Sequence, residues 1–175
     1  MFAKDYPHIR QRGETAVRKQ LRNMNLLERV KSIQGAEEAL GLTLTTKDRM
    51  GARLPEGSRL LGYSDQTYFC YIEGYLDTVF AVADQPEHEW SVWPVAYNFR
   101  EFIRLILACG CAELSARSAR LSENEYGRRM DLEWRRPHTD LIRLGDKLSL
   151  TPIQNPYGYT RMIGQLIDCR RINRG

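Results

Sequence analysis

The segment from Trp93 to Gly110 limits the possible folds more than any other part of this chain. Asn98 is a favoured helix N-cap, and Gly110 is placed to end a helix in the left-handed conformation. Between them, apolar residues recur with the spacing of one helical face: Phe99, Phe102, Ile103, Ile106 and Leu107. We therefore predict an amphipathic helix here, with Phe102 and Ile106 fully buried on the centre line of its apolar face.

Strand patterns precede this helix. Residues 59–63, 67–73 and 77–83 are rich in aromatic and β-branched side chains, and residues 91–95 add a further strand or an edge. The runs 67–73 and 77–83 are almost continuously apolar, which is typical of central strands covered on both faces. Gly74 and Tyr75 between them indicate a tight antiparallel hairpin. The pattern predicts a mainly antiparallel sheet over about residues 59–95.

Helical patterns flank this sheet on both sides. A basic amphipathic helix is predicted over about residues 14–34, and a helical C-terminal part over residues 98–170. In that part, Ser122 and Glu125 have the spacing of a capping box, and Asn155–Pro156 is a favoured helix start. A chain of 175 residues fits one domain with a sizeable core. We therefore predict an α+β fold in a single domain, residues 1–175.

No apolar run approaches the length of a membrane span, and the first residues contain no signal-peptide core. These features predict a cytoplasmic protein without a membrane partner. The four cysteines would then be reduced thiols that form no internal disulfide. Cys70 falls in a strand pattern and Cys109 in the apolar helix, so we expect both to act as small buried hydrophobic residues.

The net charge of +4 conceals an uneven distribution along the chain. Residues 1–35 carry eight basic and three acidic side chains, residues 36–94 carry four and ten, and residues 95–175 carry fourteen and nine. One interpretation is that the acidic middle and the basic ends compensate each other within the fold. The other is that the middle presents an acidic surface to a basic protein partner, which would accelerate their association.

The candidate partner-binding residues are the acidic side chains of this middle segment. One group lies in the polar link after the third predicted strand, and a second brackets the predicted hairpin: Asp84, Glu87 and Glu89, and then Glu73 and Asp77. The polar link is the better candidate, because Glu73 and Asp77 could instead support the turn.

Residue patterns that would indicate catalysis are sparse. Glu87-His88-Glu89 has no second histidine at helical spacing, and Cys109-Gly-Cys111 has no partner pair, so we predict no metal site. Phosphate-binding, dinucleotide and nucleophile-elbow motifs are also absent, which removes the positive case for an enzyme, and we predict no catalytic residues. The alternatives are an enzyme that uses the acidic loop around His88, or a nucleic-acid-binding protein that uses the basic ends. The N-terminal helix lacks aromatic residues that could stack on bases, which argues against nucleic acid.

Three segments resemble the SUKH superfamily of bacterial toxin-immunity and cell-wall-regulator-like proteins. Residues 33–44 are similar to its opening signature, residues 71–107 to its later strands and the following helix, and residues 148–166 to C-terminal segments of bacterial members. In the middle segment, Trp93-Pro-Val-Ala followed by Phe99 and Phe102 resembles the family pattern that leads into that helix. The resemblance implies a mixed sheet flanked by helices, no cofactor, and a protein-binding role. It further implies an immunity protein that neutralises a toxin, such as a nuclease, and it supplies no catalytic residues.

Overall fold

The computed structural model describes residues 26–47, 54–83, 91–169 and 172. The fold is α+β, as the sequence predicts, with helices that flank an antiparallel sheet. Before the sheet come α1, described over residues 26–32, and α2 (Ala36–Leu40). Most of the predicted basic helix at 14–34 lies outside the described residues.

Five strands form one sheet within the described part of the chain: β1 (Thr43–Leu44), β2 (Ser58–Tyr63), β3 (Thr67–Ile72), β4 (Val79–Ala83) and β5 (Ser91–Ala96). Each strand pairs with the next along the chain, and every pairing is antiparallel. The mixed sheet implied by the family resemblance is therefore wrong for these strands. The predicted β3–β4 hairpin is confirmed.

Strand β1 is an element that the sequence patterns did not predict. Its two residues pair with Gly62 and Tyr63 of β2, so the sheet begins before residue 59. A Cβ at Gly62 would collide with the backbone carbonyl oxygen of Thr43, so glycine is what allows β1 to approach here. The Leu44 amide also donates a hydrogen bond to the Glu37 carboxylate, which ties β1 to α2.

Five further helices follow the sheet: α3 (Phe99–Cys109), α4 (Ala112–Arg117), α5 (Glu123–Glu133), α6 (Thr139–Leu148) and α7 (Pro156–Leu166). Helix α3 begins as predicted, because Asn98 Oδ1 accepts a hydrogen bond from the Glu101 amide at 2.9 Å. It ends at Gly110, whose φ of 92° is left-handed. None of the helices in the described ranges is long and apolar enough to cross a membrane.

Both faces of the sheet are buried. One face packs its apolar residues, including Phe69 and Ala81, against α3 and the helices around it. Phe102 and Ile106 are fully buried in this core, as predicted. The other face is smaller, and there Phe80 and Val82 pack with the segment after α7, which includes Ile167. The sheet is therefore a central layer, and its solvent-exposed residues lie mainly at the two ends of the strands.

Helix α7, predicted from its start at Asn155–Pro156, runs beside β5 and buries one narrow face. Pro156, Thr160 and Ile163 are buried, whereas Met162 and Leu166 are 43% and 65% exposed. The opposite face is open to solvent because β5 contacts α7 on one side only.

Candidate functional site

The turn of the hairpin between β3 and β4 combines left-handed backbone conformations with an exposed apolar side chain. The turn runs from Glu73 to Thr78. The Tyr75 amide donates to the Ile72 carbonyl oxygen, and the Thr78 amide donates to the Tyr75 carbonyl oxygen, both at 3.2 Å. Two residues in the turn have left-handed backbones: Gly74, with φ of 88°, and Leu76, with φ of 54°.

Leu76 lies at the tip of this turn with 86% of its surface exposed. A positive φ is uncommon for residues other than glycine, asparagine and aspartate, because the Cβ approaches the neighbouring carbonyl oxygen. The turn therefore holds a large apolar side chain in water and in an unfavourable backbone conformation at the same time.

Contacts on both sides fix the position of the turn. The Tyr75 hydroxyl donates a hydrogen bond to the Asp168 carbonyl oxygen at 3.1 Å, and the Tyr75 ring meets the Phe80 ring edge-on at 5.2 Å. On the other side, the Glu73 amide donates to the Gly57 carbonyl oxygen at 3.0 Å. The turn is thus joined to the segment after α7 and to the turn that precedes β2.

Two of the predicted partner-binding residues, Glu73 and Asp77, lie at this hairpin end of the sheet. Glu73 is exposed and Asp77 is half-buried. Arg59 lies over the Tyr71 ring, 4.9 Å from its centroid. Burial raises the pKa of the Tyr71 phenol, the Arg59 charge lowers it and the Asp77 charge raises it further. Asp77 and Arg59 therefore act on the same phenol, whereas Glu73 lies toward the solvent side of the turn.

The other three predicted residues, Asp84, Glu87 and Glu89, lie outside the described residues, as does His88. Strand pairing still places the two ends of their segment. Ala83 pairs with Thr67 and with Ser91, whereas Val79 pairs with Ala96. The segment therefore leaves and rejoins the sheet at the end opposite to Glu73 and Asp77. Val79 and Ala83, at the two ends of β4, are four residue steps apart, roughly 14 Å.

That opposite end contains a polar cluster around Glu113, which the sequence patterns did not indicate. The Glu113 carboxylate accepts hydrogen bonds from Ser64 Oγ at 2.6 Å, Thr67 Oγ1 at 3.2 Å and Arg117 Nε at 3.0 Å. These bonds join α4 to the β2–β3 turn. With its oxygens occupied by three donors, Glu113 is suited to holding the fold together rather than to transferring protons.

A cavity of about 370 Å³ adjoins Glu113. Trp93 forms one wall, its indole nitrogen donates to the Ala116 carbonyl oxygen at 2.7 Å, and the Arg120 guanidinium lies 4.9 Å from its ring centroid. Arg117 also lines the cavity, so cationic and aromatic groups lie around a carboxylate that is already paired.

A larger cleft, of about 750 Å³, lies between α2 and α6 and is lined by Cys111, Glu133 and His138. These three residue types can act together in nucleophilic catalysis. Here burial raises the pKa of the Cys111 thiol, and the Glu133 and Glu113 carboxylates raise it further, although the Leu114 amide opposes this change. His138 Nε2 lies 2.9 Å from the Glu133 carbonyl oxygen. The thiol is therefore held protonated, and this geometry does not favour a thiolate nucleophile.

Metal ligands do not converge in the part of the chain that the structure describes, since it contains no cluster of three or more His, Cys, Asp or Glu side chains able to hold an ion.

Comparison of this chain with protein-family models, with curated proteins and with solved structures finds no match.

The sequence did contain a weak signal for the hairpin tip. Leu76 follows Gly74 in a predicted turn, where polar residues are usual, and an acidic residue lies on each side of it at Glu73 and Asp77. Its backbone conformation and its exposure depend on the register of β3 with β4, which local patterns do not determine.

Proposed function

We propose that this chain is a non-enzymatic protein-binding module, and that the hairpin end of its sheet contacts a basic region of a partner protein. The observation that carries the proposal is the fixed, acidic β3–β4 turn. Glu73 and Asp77 flank a tip that backbone hydrogen bonds and the Tyr75 hydroxyl hold in place. Acidic side chains on a surface of this kind attract a basic partner and orient it before contact.

The SUKH resemblance supports a more specific form of this proposal, in which the chain is a cytoplasmic immunity protein that neutralises a bacterial toxin. Helices flank the sheet in this chain, as the resemblance implies. The segment Trp93-Pro-Val-Ala, which resembles the family pattern, forms the end of β5 and leads directly into α3. An acidic surface is suited to covering the basic active site of a nuclease, which must itself bind phosphate groups.

The charge pattern of the C-terminal helices supports a protein partner over nucleic acid. Several arginines there form ion pairs with acidic neighbours on the same helix: Arg117 with Glu113, Arg129 with Glu125, and Arg143 with Asp140. Such pairs contribute little to stability, but they reduce the positive potential that phosphate binding requires. The enzyme alternative depends on His88 and the acidic loop around it, residues 84–90, and the nucleic-acid alternative depends in part on residues 1–25. Both ranges lie outside the described residues.

The proposal is tested by isolating the partner. The tagged chain is expressed in the cells that encode it, and proteins that co-purify at low salt are identified by mass spectrometry. We expect a basic protein, released by raised salt because exposed charges are screened. Co-expression then tests the immunity role, since the chain should restore growth to cells that produce the identified protein. If no protein is enriched over an untagged control at low salt, the binding function is wrong.

A further inference from the structure

Leu76 is poorly explained by the stability of the chain itself. Its side chain is 86% exposed, so it gains almost nothing from burial within the fold. Its φ of 54° would suit glycine or asparagine better, since both adopt the left-handed conformation more readily than leucine. Sparsely populated backbone conformations cluster at binding and switch sites, so an exposed leucine held in one is a candidate for a binding contact.

The turn also presents Leu76 in a fixed position. Tyr75, next to it, is joined to the segment after α7 by its hydroxyl and to Phe80 by its ring. A turn whose backbone is already held in place loses less conformational freedom on binding, which improves affinity. Tyr97, which is 38% exposed, lies at the same end of the sheet because it follows Ala96, the partner of Val79. Tyrosine is enriched at the centres of protein interfaces.

We propose that Leu76 is the apolar anchor of the binding surface. It inserts into an apolar pocket of the partner protein, and lysine or arginine side chains at the rim of that pocket pair with Glu73 and Asp77. This inference rests on the proposed protein-binding function. It assigns the partner a definite chemistry, which is a pocket wide enough for one leucine side chain inside a basic border.

Leu132 provides a matched control. It is 58% exposed and lies between Asp131 and Glu133, so it is also an apolar residue flanked by acidic ones. It differs from Leu76 in lying within α5, with no left-handed backbone. If exposed leucines next to acidic residues were sufficient for binding, both positions would contribute equally.

The test compares the variants Leu76→Asn and Leu132→Asn with the parent chain. Asparagine keeps the left-handed turn and removes the apolar group, so Leu76→Asn should unfold at the same temperature as the parent or at a higher one. Its affinity for the partner should fall about 10- to 100-fold, the change expected when one leucine is no longer buried. Leu132→Asn should bind within about twofold of the parent, as for an exposed residue outside the interface. Leu76→Gly serves as a second variant if asparagine lowers the stability.

The probe is the soluble protein of the cells that encode the chain, applied in parallel to the three tagged baits. The protein enriched on the parent is then identified, purified and titrated calorimetrically against each variant. Support requires that the purified protein loses affinity for Leu76→Asn while it keeps its affinity for Leu132→Asn.

Different results overturn different claims. If the parent enriches no protein, the proposed function fails and the anchor fails with it. If the purified partner binds all three baits with equal affinity, the protein-binding function stands and the anchor at Leu76 is wrong. Sedimentation of the parent alone tests a second copy of the chain as the occupant. Self-association that disappears in Leu76→Asn would replace the basic partner with that second copy.

Discussion

Replacing Phe102 with alanine tests the core on which the hairpin is built. Phe102 is fully buried on α3, and its ring centroid lies 4.7 Å from that of Phe69 on β3. Truncating a buried phenylalanine costs about 3–5 kcal/mol in free energy of unfolding, from lost burial and the remaining cavity. Loss of the ring pair accounts for about 0.5–1.5 kcal/mol of that amount.

This loss is large compared with the total stability of a domain, which is about 5–15 kcal/mol. For a chain of this size, each kcal/mol lowers the melting temperature by about 2–4 °C, so Phe102→Ala should melt roughly 6–20 °C below the parent. Urea unfolding followed by circular dichroism measures the free energy, and an unchanged slope with denaturant shows that the unfolded state is comparable.

Two control variants make the result interpretable. Phe102→Leu keeps most of the volume and should cost less than about 2 kcal/mol. Arg100→Ala changes an exposed residue on the same helix and should alter stability by less than about 0.5 kcal/mol. If Phe102→Ala unfolds at the same temperature as the parent, the packing of α3 on the sheet is wrong.

Two further predictions concern the start of α3 and the buried thiol of Cys70. Asn98→Ala removes the hydrogen bond to the Glu101 amide and should cost about 0.5–2 kcal/mol in urea unfolding, whereas Asn98→Ser should recover most of it. Burial raises the pKa of the Cys70 thiol to about 12. In the unfolded chain the thiol has a pKa of about 8.5, so the unfolded chain loses this proton first as the pH rises. Burial of the neutral thiol therefore contributes its full stabilisation below about pH 8.5. Above that pH, the free energy of unfolding falls by about 1.4 kcal/mol per pH unit until the pH reaches the folded-state pKa. Cys70→Ala should show a shallower alkaline loss of stability than the parent, and identical slopes would refute the burial of this thiol.

The elements that the sequence predicts correctly are those specified by local signals. Helix α3 has its cap, its apolar face and its terminal glycine within thirteen residues, from Asn98 to Gly110. Strands β3 and β4 are each a short apolar run, and the hairpin between them follows from Gly74. Each of these features acts over a few residues, so a single sequence is sufficient to predict them.

The features that were missed depend on contacts between distant parts of the chain. Strand β1 has two residues and is defined by its pairing with Gly62 and Tyr63, which lie about twenty residues later in the sequence. Glu113 gains its role from Ser64 and Thr67, more than forty residues earlier in the sequence. The two acidic residues of the hairpin, Glu73 and Asp77, were predicted from its local turn signal, whereas the half-burial of Asp77 was not.

Association kinetics at two ionic strengths test the central claim most directly. The purified partner is mixed with the parent chain, with Glu73→Lys/Asp77→Lys and with Asp84→Lys/Glu87→Lys/Glu89→Lys. The control Glu123→Lys/Asp131→Lys reverses two exposed charges on α5. Circular dichroism verifies that each variant is folded. Glu73, Glu123 and Asp131 are exposed, and exposed charges contribute little to stability. At low salt, reversal of Glu73 and Asp77 should slow association about tenfold or more and weaken its salt dependence, while the α5 control associates at nearly the rate of the parent.

If the Glu73 and Asp77 variant associates as fast as the parent at low salt, the hairpin end is not the partner-facing surface. Slowing in the triple variant instead would assign that role to residues 84–90.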